Sequence, residues 1–99
     1  MIRHVVIFEW TDSASSDQVA AVAAGLDTMT DNIPGILSYQ HGDDLEISSV
    51  TADYALVADF ATVEDYRSYA SHPHHLAYIE EHVRPIAARI HRVQYHVSE

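Results

Sequence analysis

Ninety-nine residues carry fifteen acidic side chains against five basic ones, a formal charge of −10 with the histidines neutral. That length allows one domain, and a 47% hydrophobic composition with three glycines and three prolines excludes a disordered chain. The absence of cysteine excludes a disulfide framework and a thiolate site, and the charge argues against nucleic acid or an anionic membrane, which need basic partners. All five cations are arginine, so Schiff-base chemistry on a lysine side chain is excluded too. No apolar run near the start approaches a signal or spanning segment, and the expected location is cytoplasmic.

Arg3 to Trp10 is β-branched and aromatic and reads as a strand. Ser15 followed by Gln18 forms a capping-box pattern, and Val19, Val22, Ala23, Leu26 and Met29 recur at helical spacing, which predicts a helix over Ser16 to Thr30. Asp31, Asn32, Pro34 and Gly35 end it. A weaker strand follows over Ile36 to Gly42, then an acidic loop from Asp43 to Thr51 and a clear strand from Tyr54 to Phe60. Thr62 caps a second helix through Val63, Tyr66, Tyr69 and Ala70. His72 precedes a proline and leaves the helical region. Pro73 suits the first turn of a third helix carrying Leu76, Ile79, Val83 and Ile86, which Pro85 bends or restarts near its end. Arg89 to Val97 closes as a strand.

The order β-α-β-β-α-α-β is that of the ferredoxin-like split βαβ pattern, an α+β fold with a four-stranded antiparallel sheet and helices on one face. Helices on one side leave the other side bare. The first and third strands are nonetheless apolar on both faces, with Val5, Ile7, Ala55 and Val57 away from the His4 and Leu56 rows. Apolar patches of that extent are rare on monomers, so a homodimer through sheet-to-sheet packing is expected.

Arg3-His4-Val5-Val6-Ile7-Phe8, the turn Pro34-Gly35-Ile36, the run Tyr69-Ala70-Ser71-His72-Pro73-His74-His75 and Glu81-His82-Val83-Arg84-Pro85 together span nearly the whole chain. In order and spacing they resemble the stress-responsive A/B barrel (Dabb) family of dimeric α/β barrels. Most members have no assigned activity. Those understood best are cofactor-free polyketide cyclases of the olivetolic acid cyclase type, which close a ring by aldol condensation. The resemblance implies His75 and Tyr69 as catalytic residues and His4 as a polar pocket group. It implies a substrate-binding wall at Val6, Phe8, Leu56, Ala58, Val63, Tyr66, Tyr78 and Ile86, with no cofactor. Ala20, Ala21, Ala23 and Ala24 stand where those cyclases carry bulky aromatics on the first helix, and Ile86 where they carry an aromatic, which implies a different cavity and ligand.

An aldol step needs a base for the proton beside a carbonyl and a donor for the enolate oxygen. A neutral imidazole, with an ordinary pKa near ~6.5, suits the first role and a phenol the second. His75 and Tyr69 fit these roles, and equally fit a hydrogen-bonded, half-buried histidine and a core aromatic. The expected function is thus binding of an apolar or aromatic small molecule between sheet and helices, with cyclase, isomerase or lyase chemistry, or else non-catalytic binding in a stress response. A haem-degrading relative of this general fold would need a haem-ligating histidine in a much larger pocket. Imidazoles at His72, His74 and His75 suggest a metal, but a proline break turns them apart, and His72 reads better as a brace of that break. His82 reads as a rim residue, and His41, His91 and His96 as edge or interface residues. Arg84, Arg89 and Arg92 form a basic cluster that either pairs with Glu80, Glu81 or a facing subunit, or meets an anionic head group.

Overall fold

The computed structural model describes residues 1–98. In chain order the elements are β1 (Ile2–Trp10), α1 (Ser16–Leu26), α2 (Met29–Asn32), β2 (Ile36–Asp43), β3 (Tyr54–Phe60), α3 (Val63–Ser71), α4 (Pro73–Tyr78), a π-helical turn (Ile79–Val83) and β4 (Ala87–His96). The strands form one sheet in the order β2-β3-β1-β4, and every neighbouring pair is antiparallel. This is the ferredoxin-like arrangement.

Local chemistry explains most boundaries. The Ser15 hydroxyl accepts the Gln18 amide at 3.1 Å while Gln18 Oε1 accepts the Ser15 amide at 2.9 Å, so the α1 capping box is closed in both directions. Thr62 Oγ1 accepts the Asp65 amide and opens α3. Gly35, at φ +93°, makes the turn into β2 in a region where a side chain would be strained.

Two expected helices are each divided. The helix expected over Ser16 to Thr30 ends at Leu26 and restarts at Met29. At the break the Thr28 amide reaches back only three residues to the Gly25 carbonyl, and the Thr28 hydroxyl donates to the same oxygen at 2.7 Å. A side chain that competes for a helix carbonyl loosens the turn. The third helix keeps α geometry only to Tyr78 and then widens, the Arg84 amide bonding the Ile79 carbonyl five residues back. Pro85 has no amide hydrogen, and in an α-helix its ring would strike the Glu81 carbonyl; the wider turn avoids that clash.

Alternation along the strands gives the sheet two faces. Beneath the helices lie Ile2, His4, Val6 and Phe8 of β1 with Tyr54, Leu56, Ala58 and Phe60 of β3, all buried, and they close the core with Val22, Leu26, Met29, Tyr69 and Val83. The opposite face carries three cross-strand rows: Tyr95–Arg3–Asp59, Val93–Val5–Val57 and His91–Ile7–Ala55. Val5, Ile7, Ala55 and Val57 are half-buried, and Val93 and Tyr95 are exposed. At one end Arg3 holds Asp59 through two bonds of 2.8 and 3.0 Å, which lowers the Asp59 pKa below the usual carboxylate value.

Candidate active site

Between the helix-side face of the sheet and α3, α4 and the π turn lies a cavity of about 230 Å³. His4, Val6, Phe8, Leu56, Tyr66, Tyr69, His75 and Tyr78 all border it, joined by Leu26, Ala70, Ile79, Val83, Ile90 and Arg92. Three residues expected on its wall lie elsewhere. Ala58 and Ile86 are buried in the core without bordering the space. Val63, on the first turn of α3, is 36% exposed and borders a separate groove with Ile2, Gln94 and Tyr95. Among the described residues no carboxylate lines the cavity.

His75 sits half-buried in the first turn of α4, which starts at Pro73 after His72 leaves the helical region. Its Nδ1–H donates to the Ala70 carbonyl at 3.1 Å, so in the neutral ring Nε2 carries the free lone pair. Burial is the main cause holding its pKa below the ordinary histidine value, against the opposing bond to Ala70. His4 has the complementary arrangement. Gln94 Nε2 donates to His4 Nδ1 at 2.9 Å, which leaves the proton of the neutral ring on Nε2 as a donor. Burial, then the charges of His75 and Arg92, pull the His4 pKa down to about 4.

Tyr69 is buried on α3, its ring centroid 4.3 Å from that of His75 and 6.1 Å from that of His4. Its hydroxyl meets the Tyr39 hydroxyl at 2.7 Å, and burial pushes its pKa up to about 12, so it remains a neutral phenol across the physiological range. Tyr78 has a mainly structural bond: its hydroxyl donates to the Val22 carbonyl at 2.9 Å, and its ring fills the space beside Gly25, where a Cβ would collide with it.

The other histidines diverge. His72 Nδ1 accepts the His74 amide at 3.1 Å and so braces the start of α4. His74 Nε2 lies 2.7 Å from the Thr28 hydroxyl, whose own proton goes to Gly25, so His74 is the donor. His41 bridges Tyr54 at 2.6 Å and Asp27 at 2.7 Å, tying the end of α1 to the sheet. Among the described residues no three His, Asp or Glu side chains converge as metal ligands.

Two parts of the site, Tyr39 and Ile90, are absent from the sequence reading, and Arg92 enters it only as one of a basic cluster. Tyr39 has no local motif; a register shift between Ile36 and Ser38 sets it opposite Ala58 on the helix side. Ile90 and Arg92 stand opposite Phe8 and Val6, and the alternation of β4 carries the signal for them once its helix-side face is chosen over the His91–Val93–Tyr95 face.

An antiparallel β2-β3-β1-β4 sheet with helices on one side and an aromatic, histidine-bearing cavity beneath them defines a ferredoxin-like protein of the α/β-barrel kind. The chain belongs to the stress-responsive A/B barrel (Dabb) family, whose domain matches residues 2–97. It is 31% identical over 87 residues to a stress-response A/B barrel domain-containing protein of Arabidopsis thaliana, covering 87% of this chain and spanning about a third (33%) of that protein's length. Among solved structures it is similar to a dimeric ferredoxin-like protein of unknown function from Thermobifida fusca, with 33% identity, TM-score 0.90, and 97% of this chain and 90% of the other covered. A hydroxynitrile lyase from Passiflora edulis shares the fold at 20% identity and TM-score 0.86, with 99% and 94% covered.

Proposed function

We propose that the protein binds a small apolar or aromatic carbonyl compound in this cavity and, without a cofactor, moves a proton at the carbon beside the carbonyl. That is the elementary step of aldol cyclases, of isomerases that act beside a carbonyl, and, in reverse, of aldol-type lyases. The observation that carries the reading is that the free Nε2 lone pair belongs to a histidine bordering the same carboxylate-free cavity as Tyr69.

His75 Nε2 takes the proton: the C–H bond breaks, an N–H bond forms, and the electron pair moves onto the carbonyl oxygen. The Tyr69 hydroxyl donates a hydrogen bond to that oxygen, and Tyr39 holds the phenol in place. The imidazolium then returns its proton to the product. A volume of about 230 Å³ is below the ~300–1,000 Å³ of sites for drug-sized ligands, which favours a compound of one ring. The half-buried apolar rows on the far face of the sheet support a homodimer of Dabb domains packed sheet to sheet, each spanning residues 1–99.

The test is exchange of the methyl protons of acetophenone in D2O, followed by NMR. The protein is expected to accelerate exchange over buffer, and His75→Gln to lose about 10²–10⁴-fold of that acceleration. Exchange no faster than in buffer, or unchanged in His75→Gln, overturns the catalytic role; binding that persists without exchange then leaves the non-catalytic reading.

A further inference from the structure

Among the described residues Arg92 is the one permanent cation on the cavity wall, since His4 and His75 are held neutral. It projects from the edge strand β4, in register with Val6, and is exposed at the mouth. Among the described residues no carboxylate lies within 4.0 Å of its guanidinium, whereas Arg3 pairs with Asp59 and Arg84 with Glu80 at 2.8 Å. Arg67 and Arg89 likewise have no carboxylate within 4.0 Å among the described residues, and of these three arginines Arg92 is the one that borders the cavity.

The surroundings of Arg92 continue the pattern. A second hollow of about 310 Å³ shares Ile79, Val83, Ile90 and Arg92 with the cavity and adds Arg84 and Arg89. Among the described residues no aspartate or glutamate borders either space. Three of the five cations of the chain thus collect at one opening.

We infer that the ligand of this cavity is an anion, its apolar or aromatic body lying among Phe8, Leu56 and Ile90 and its carboxylate or phosphate group taken by the Arg92 guanidinium at the mouth. This rests on the cavity reading above and narrows it to one substrate class. The planar guanidinium fork matches the two oxygens of either group. The arrangement also links binding to basicity. The Arg92 charge is among the causes that lower the His75 and His4 pKa values, so an anion that neutralises it makes His75 a stronger base when a ligand is present.

Benzoate, its neutral near-isostere benzamide, and phenyl phosphate serve as probes, titrated against the intact protein while the ring-proton NMR signals of His4 and His75 are followed. Benzoate or phenyl phosphate is expected to bind about 10–100-fold tighter than benzamide, the value of a charged hydrogen-bonded contact, and the tighter of the two identifies the head group. Arg92→Gln is expected to abolish that preference while leaving benzamide affinity within about twofold, which also reports that the variant is folded; Arg84→Gln is expected to keep the preference. Benzamide binding as tightly as both anions, or a preference that survives Arg92→Gln, overturns the anion assignment and leaves the cavity standing. If none of the three probes moves the His4 or His75 signals, the cavity reading falls and the anion assignment with it.

Discussion

His4 and His75 are the same side chain in opposite states. A glutamine donor fixes the proton of His4 on Nε2, a backbone acceptor fixes that of His75 on Nδ1, and both rings border one cavity. Both rings are kept neutral by burial. For His4 the folded pKa is about 4 against 6.5 in the unfolded chain. Below pH 6.5 the unfolded chain takes up a proton that the folded protein refuses, so stability falls as the pH drops from about 6.5 to about 4 and then levels off. Urea denaturation at pH 7 and pH 4.5 is expected to show the wild type losing roughly 2–3 kcal/mol more than His4→Gln over that interval; equal losses would show that His4 is not held neutral. That His4, Tyr69 and His75 lie close together was implied by the family resemblance of the strand-one motif and the Tyr69–His75 run. Tyr39 was not, because its contact with Tyr69 spans 30 residues and depends on a strand bulge that no local pattern announces.

Element types follow from hydrophobic period and caps, while element ends depend on single hydrogen bonds. The strand alternation, the Ser15 and Thr62 caps and the Pro73 start are all readable one residue at a time. The break after Leu26 is not, since it is a competition for one carbonyl that the apolar period does not register, and at Ile79–Val83 Pro85 announces a distortion but not that it takes the form of a widened turn. Gly25 shows how closely these elements meet. The Tyr78 ring lies where its Cβ would be, and the Tyr78 hydroxyl bonds Val22 on the same helix. Gly25→Ala must therefore displace the ring, at a cost of about 1–3 kcal/mol that outweighs the helix-propensity gain of up to ~1 kcal/mol. A urea midpoint shifted downward is the expected result, and an unchanged or raised midpoint would show that the ring relocates freely.

Across the full fold, the sheet has two apolar faces and its helices cover one. On the covered side, the gap left between α3, α4 and the strands is the cavity; on the other, Val5, Ile7, Val57 and Val93 form a patch that water meets in a lone chain. This two-sidedness was legible in the sequence, because both alternating faces of β1 and β3 read apolar. Which β4 residues would reach the cavity was not, since an edge strand with polar residues on both sides gives no contrast. The proposed use of the far face to pair with a second copy is tested most directly by analytical ultracentrifugation at micromolar concentration. A species of twice the 11.1 kDa chain mass is predicted, dissociating when Val5→Asp places a charge in the middle of the patch. A wild-type species that remains at 11.1 kDa would contradict it.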